Sequence, residues 1–566
     1  MPIRLLLWTC VPLSVFASWF SWQLYWQAEP ISLARETTLI TGPLADDGLP
    51  SYSMFLVQRM KADVTADNNG APAFVRAMWP AELHGNDKQL VCTELGMTMP
   101  TEEGLSIPYA DKALMAALAK WCDPAEKSEF LVPEEDLLEA IEAAPWTAAD
   151  APPLAQWIEQ HAEQFELLHE AARQEEFYFP SPTLLADPKA SLHSMRTPAT
   201  QTLRTAAKCL ALRANLRVGS GDLRGAWDDC RAIYHLADVQ THSTVLCELL
   251  AYKREEIANR TLWHIVQSPQ LTSELAEEMA TCLGSRQPQH SLRDTLRSGA
   301  RIDFVTELLE ISGYRRTSAA SAHGGVAYGQ DDIDHKPAID WCTVLRIANE
   351  EYDLYLAAAD QPTYTEQQAA LNAWTDRVSD LAKEPEWTNM LLDYEVRTNH
   401  MAYELAKMIP SRLAAAIENG RRITANRQLH LTAVALARYR LSTGEYPQSL
   451  DGLLPEYLAE MPMDPFDRAL AYTRTPDGYL LYSLGRDGQD SGGSNNMLNL
   501  YQGYPIPESP AKIQQLRQQL GALPRSAENT SQPAVMDKWG PRIEDDDIAL
   551  RMPHIQYPLP QFEWQE

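Results

Sequence analysis

The residues best suited to chemistry lie near the C-terminus, in Gly485-Arg486-Asp487-Gly488-Gln489-Asp490-Ser491-Gly492-Gly493. Two carboxylates three positions apart on a glycine-rich loop can converge on one hard cation. Such a cation takes several oxygen ligands, and backbone carbonyls can complete the set. The glycines let the backbone turn sharply and aim those carbonyls inward. Asp487 and Asp490 bring negative charge, and Ser491 or Asn495 offers neutral oxygen. An all-oxygen set suits calcium and not zinc, which prefers nitrogen and sulfur. The alternative is an Asx-type turn in which Asp487 caps nearby amides.

Other candidate groups are scattered. His161 and His169 are eight apart with no carboxylate motif, and His169-Glu170-Ala171-Ala172-Arg173 is not HExxH. They read as packed or solvated side chains. Asp331, Asp332, Asp334 and His335 close a Gly/Ser/Ala-rich segment and read as a solvated loop. No GxSxG, P-loop, GxGxxG or HExxH occurs. A triad assembled from distant positions remains open. His400 and His430, with Glu404 and Glu418, are the groups an extracytoplasmic hydrolase would use.

The acidic loop needs elements to position it. Leu429, Ala433, Leu436 and Ala437 fall at i, i+4, i+7 and i+8, one face of a helix. Arg438 and Arg440 suit its C-terminal dipole. Gly444 stops it and Pro447 prevents a restart. Pro455, Pro462 and Pro465 keep the next stretch irregular, apart from a short turn at 450–454. Residues 469–473 and 479–484 then read as strands, joined by Thr475-Pro476-Asp477-Gly478 as a hairpin.

This stretch resembles the C-terminal domain of the major, G-type pseudopilin of type II secretion systems. The resemblance rests on the ordered motifs Gly444-Glu445-Tyr446-Pro447, Leu453-Leu454-Pro455-Glu456-Tyr457-Leu458, Pro462-Met463-Asp464-Pro465-Phe466-Asp467 and Tyr479 through Gly488. It covers about seventy of 566 residues. It implies a small α+β fold and a calcium site at the last loop, with Asp487 and Asp490 as ligands and the Leu484 carbonyl as a third. Two departures accompany it. Asn495 and Asn496 stand where the family has a further acid. The N-terminus, Met1-Pro2-Ile3-Arg4-Leu5-Leu6-Leu7, lacks the family's leader, cleavage glycine and early glutamate. The chain is therefore not expected to pack into a pseudopilus. A working pseudopilin would show leader cleavage and N-terminal methylation. The remainder resembles long membrane-anchored helical chains of planctomycete-like bacteria that end in such a module, which assigns no activity.

The chain is mainly α by pattern. At 566 residues it has room for two to four domains and a large core. A net charge of −29 argues against nucleic-acid partners. Residues 5–26 carry no charge, are long enough to span a bilayer, and end in Trp19, Trp22, Tyr25 and Trp26. They read as a transmembrane signal anchor over residues 1–28, with a cleaved signal peptide as the rival. Either reading exports the rest. The expected units are a mixed, mostly helical region at 29–200, a helical array at 201–410, the α+β module at 411–502 and a proline-rich, disordered tail at 503–566.

Residues 153–173 read as one amphipathic helix with Leu154, Trp157, Ile158, His161, Phe165 and Leu168 on its apolar face. Residues 203–218 and 223–237 read as a helical hairpin with Asp222 as cap, similar to a tetratricopeptide hairpin but without a 34-residue repeat. Further helices are expected at 272–283, 291–311, 338–359, 365–383 and 386–408. No CxxC occurs among the eight cysteines. Cys92 and Cys122 are the candidates for a disulfide in an oxidising compartment, and Cys209, Cys230, Cys247, Cys282 and Cys342 read as buried thiols.

The expected function is non-enzymatic. A single-pass inner-membrane protein would hold its bulk outside the cytoplasm, present a helical binding surface and contact other envelope or secretion-system proteins through its pseudopilin-like end.

Overall fold

The computed structural model describes residues 15, 18, 19, 30–79, 83, 85–99, 114–118, 144–190, 198–239, 244–286, 292–315, 339–476, 478–490, 492, 493, 536, 537, 540, 541 and 548–552. Within these the chain is mainly helical. Its N-terminal helices are α1 (Tyr52–Met60), α2 (Ala71–Ala77), α3 (Asn86–Glu94), α4 (Pro152–Gln160), α5 (Ala162–Ala172) and α6 (Pro182–Ala186). Then come α7 (Pro198–Gly219), α8 (Leu223–Asp238), α9 (Val245–Gln267), α10 (Ser273–Ser285), α11 (Leu292–Arg297) and α12 (Gly299–Ile311). The last helices are α13 (Trp341–Ala359), α14 (Tyr364–Leu381), α15 (Trp387–Leu392), α16 (Tyr394–Ala406) and α17 (Met408–Thr443). Among the described residues no helix is long and apolar enough to cross a membrane. The expected anchor at 5–26 falls almost wholly outside them.

The hairpin of α7 and α8 forms as expected. Asp222 caps α8 by accepting from the Gly225 amide, and α9 packs across both helices. Thr244, Thr272, Asp340 and Thr363 cap α9, α10, α13 and α14 in the same way.

Three expected single helices are broken. The 153–173 helix is interrupted at His161, whose Nδ1 lies 2.8 Å from the Trp157 carbonyl, a group the helical ladder also uses. Its apolar face is otherwise as expected, with Leu154, Trp157, Ile158, Phe165 and Leu168 buried. The 291–311 helix breaks at Ser298, whose hydroxyl bonds the Asp294 carbonyl. The 386–408 helix breaks at Asp393, which is extended and caps α16.

Two hydrophobic cores result. One gathers α2–α5, α7–α10 and the C-terminal module. The other gathers α1, α6, α11–α14 and α16. Helix α17 belongs to both. Ile409, Leu413, Ala416 and Ile417 of its first half enter the second core, whereas Leu429, Ala433, Val434, Leu436 and Ala437 enter the first. At 1.5 Å per residue its 36 residues span about 54 Å. It ends at Gly444, with φ 88° and its amide on the Arg440 carbonyl.

After α17 a 3-10 turn (Leu450–Leu453) leads to β1 (Met463–Asp464) and β2 (Arg468–Ala469), which pair antiparallel. The expected hairpin is β3 (Ala471–Arg474) and β4 (Tyr479–Ser483), with Arg474 opposite Tyr479 and Ala471 opposite Tyr482. Two short strands follow from the proline-rich tail, β5 (Met536–Asp537) and β6 (Gly540–Pro541), paired together. A third piece of the tail, β7 (Ile548–Met552), adds to the far side of β4 and completes a sheet in the order β3-β4-β7. The strands come from a segment read as a disordered tail; most of it lies outside the described residues.

Candidate functional site

The acidic loop begins where β4 ends, and a buried carboxylate fixes that point. Asp464, 2% exposed, accepts from the amides of Phe466 at 3.1 Å and Leu484 at 3.2 Å. Burial pushes its pKa up, against the Ser483 hydroxyl and these two amides, which favour the charged form. Replacing it with an apolar residue would leave two amides to find other partners. Beyond Leu484 the loop is a run of Asx turns. Asp487 Oδ1 accepts from the Gln489 amide at 2.9 Å, and Asp490 Oδ1 accepts from the Gly492 amide at 2.9 Å and the Tyr482 hydroxyl at 2.9 Å. The Oδ2 atoms of both have no protein donor among the described residues. Ser491 lies outside those residues. Gly485, Gly488, Gly492 and Gly493 all have positive φ.

A protein cation also reaches this loop. Arg468 of β2 donates through Nη1 to the Gly488 carbonyl. Its guanidinium lies so close that a Cβ on Gly488 would overlap it. Among the described residues no group of three or more His, Cys, Asp or Glu side chains could hold a metal ion.

The loop before the hairpin docks the module onto the helical body. Asp467 adopts φ 67°, a left-handed conformation that L-residues other than Asn and Asp avoid. Its carboxylate accepts from the amides of Tyr364 at 2.8 Å and Thr365 at 2.7 Å, the first two of α14. Phe466 meets Tyr364 edge-to-face at 5.1 Å. Arg421 of α17 donates to the Pro465 carbonyl at 2.6 Å and to Gln367 of α14 at 2.7 Å. At the other end, Tyr479 of β4 packs against Trp263 of α9 and Tyr446.

Helix, glycine stop, hairpin and acidic loop thus occur in the expected order. Residues 412–500 match the family model of the type II secretion system (T2SS), protein G. The protein G-like segment begins inside α17 and includes the acidic loop. No curated protein and no solved structure matches the chain.

Three residues of the protein G-like module acquire roles that motif reading did not assign. Asp464 and Arg468 hold the loop from outside it. Asp467 caps α14 from the loop before the hairpin.

The other sequence candidates are dispersed. His169 Nε2 lies 2.8 Å from Asp229 Oδ1, a fully buried carboxylate also held by Arg213 and Arg217. His430 is buried with Nδ1 2.7 Å from the Asn426 carbonyl, and burial pushes its pKa down to about 4. Glu418 is on the same helix, 12 residues or about 18 Å earlier. Glu404 pairs with Lys407 at 2.6 Å. The two histidines and two glutamates are therefore divided between α16 and distant turns of α17. Asp331, Asp332, Asp334 and His335 lie outside the described residues. So does Cys122, while Cys92 is a buried thiol; Cys209, Cys230 and Cys247 are also buried thiols, and Cys282 and Cys342 are half-buried.

Proposed function

We propose that this chain is a single-pass inner-membrane protein, anchored by residues 5–26, that holds its helical body and protein G-like module outside the cytoplasm. There it acts in contacts with secretion-system or other envelope proteins. The observation that carries this reading is the match of residues 412–500 to T2SS protein G. An uncharged, aromatic-ended segment at 5–26 supports the anchor. A net charge of −29 suits protein and cation partners better than nucleic acid. The test has two arms. Protease protection in spheroplasts should show residues 30–566 accessible from outside. A photo-crosslinker at Met463, 57% exposed on the module, should capture a secretion-system or envelope protein. Cytoplasmic orientation, or capture of cytoplasmic proteins alone, would refute the proposal.

The acidic loop is proposed as a calcium site of modest affinity. Its ligands would be Asp487, Asp490, the Leu484 carbonyl and Ser491. The donor chemistry supports this: both aspartates use Oδ1 within the loop, and among the described residues no donor takes Oδ2. Arg468 on the Gly488 carbonyl competes, because a guanidinium beside the loop repels a divalent ion. With no further acid after the glycines, affinity falls in the weak extracytoplasmic range, a dissociation constant on the order of 10⁻⁴–10⁻³ M.

A further inference from the structure

The two cores do not close on each other everywhere along α17. Midway along that helix they leave a cleft of about 500 Å³. Its walls come from α8, α9, α11, α13, α14 and α17, with Pro465 of the protein G-like module at one edge. Its apolar lining comes from Leu292, Leu296, Leu356, Ile417 and Ile423. Arginines from the same helices also line it.

Four arginines line the cleft: Arg293, Arg297, Arg421 and Arg427. Their carboxylate partners do not balance them. Arg293 and Arg297 share a single acid, Asp360, at 2.9 and 2.8 Å. Arg427 holds Glu255, which is 2% exposed, through paired bonds of 2.5 and 2.6 Å. Arg286 binds the same Glu255 at 3.0 Å and also Asp238 at 2.5 Å. Arg421 has no carboxylate at ion-pair distance among the described residues. It donates to the neutral Gln367 and Pro465 oxygens and lies 5.3 Å from the Tyr364 ring centre. The remaining lining acid, Glu248, accepts from Thr295, and burial raises its pKa toward the neutral form.

Among the described residues, Arg293, Arg297 and Arg421 have between them one carboxylate at ion-pair distance, Asp360, while Asp238 and Glu255 are taken up by Arg286 and Arg427. Asp467 and Glu418 attract Arg421 from beyond that distance. This cluster of arginines stands in a chain of net charge −29. A guanidinium whose hydrogen-bond partners are neutral oxygens retains donors and attraction for an oxyanion, and its planar fork suits carboxylate and phosphate oxygens. Half-enclosed apolar walls beside it give room for a short hydrocarbon part.

We propose that this cleft binds a small organic oxyanion, a carboxylate or phosphate on a short apolar stem. Arg421, Arg293 and Arg297 take the head, and Leu292, Leu296 and Leu356 take the stem. The site is independent of the secretion reading, since it needs neither the anchor nor a protein partner.

The test is calorimetric titration of the purified full chain with n-butyl phosphate and with butyrate, at matched ionic strength, with n-butanol as the neutral control. Saturable binding of one or both anions is expected, and the tighter one identifies the head group. Arg421→Gln should weaken it about tenfold or more, the loss expected for one charge-assisted hydrogen bond. Arg421 also braces Pro465 and Gln367, so Arg297→Gln serves as a second variant. Its side chain is 54% exposed, and the change should weaken binding without altering the melting curve. Absence of saturable heat from both anions would overturn the proposal. So would equal binding of n-butanol, or unchanged affinity in both variants.

Discussion

The cap that Asp467 places on α14 offers the sharpest test of how the module is held. In Asp467→Ala both charge-assisted bonds to the Tyr364 and Thr365 amides disappear, and the left-handed backbone keeps a Cβ. Loss of a capping carboxylate costs about 1–2 kcal/mol, and the strain remains. In Asp467→Gly the same bonds disappear, but removing the Cβ at φ 67° returns about 1 kcal/mol. The alanine variant should therefore be less stable than the glycine variant by about 1 kcal/mol, although glycine is ordinarily the worse choice elsewhere. Urea unfolding of the full chain measures the order. Amide hydrogen exchange at Tyr364 and Thr365 gives a local readout and should accelerate in both variants. The pH dependence has a defined sign. Burial is the largest single effect on Asp467 and opposes its charge, but the amides of Thr365 and Tyr364, the Thr365 hydroxyl and the Arg421 guanidinium together outweigh it and lower the pKa. The cap's contribution is complete above the ordinary aspartate pKa of 3.8 and is lost as pH falls through the lower folded value. Equal stability of the two variants, or unchanged exchange at the two amides, would refute the argument.

Three further outcomes are expected. At about 2 mM calcium, a site of the proposed affinity stabilises by about 0.6–1.8 kcal/mol; the full chain should melt higher than in chelator. Asp487→Ala should remove that increment, and Arg468→Gln should enlarge it by removing the competing charge. Gly420→Ala should destabilise by about 1 kcal/mol despite alanine's better helix propensity, because its Cβ would stand 2.6 Å from Leu292 Cδ2; equilibrium unfolding measures this. For His430, the folded pKa of about 4 lies below the ordinary 6.5, so the unfolded chain binds the extra proton first. Stability should be complete above pH 6.5 and fall by up to about 3 kcal/mol toward pH 4, and His430→Gln should flatten that part of the profile.

Local structure was legible wherever one residue type acts on its immediate neighbours. Asp222, Gly444 and the turn that Thr475 and Gly478 close punctuate the chain as their chemistry requires. Breaks at His161, Ser298 and Asp393 were not legible as such. Each depends on a polar side chain binding the backbone beside it, and the apolar periodicity runs on through the break. The acidic loop was legible as a set of ligands but not as an environment. Arg468, Asp464 and Tyr482 reach it from the flanking strands, and nothing in the spacing of Asp487 and Asp490 announces them.

Helix α17 explains why the module's placement was the hardest part to read. Its C-terminal turns carry the motif and the glycine stop, and those were enough to recognise it. Its burial, however, is set by α9 and α10, which lie well over a hundred residues earlier in the chain. Leu429, Ala433 and Leu436 face that core, so the helix face of the protein G-like module is already occupied from within. Glu255 pins the same helix through Arg427, and Asp467 pins the following loop to α14. Any partner of the module must therefore use what these contacts leave uncovered. Among the described residues that surface includes the edge of β3 away from β4, the exposed Met463 and the acidic loop itself. A partner that required the buried helix face would first have to separate α17 from α9. That step would break the Glu255–Arg427 pair and strand Glu255 beside Arg286 alone, so the module's outward contacts should form without it.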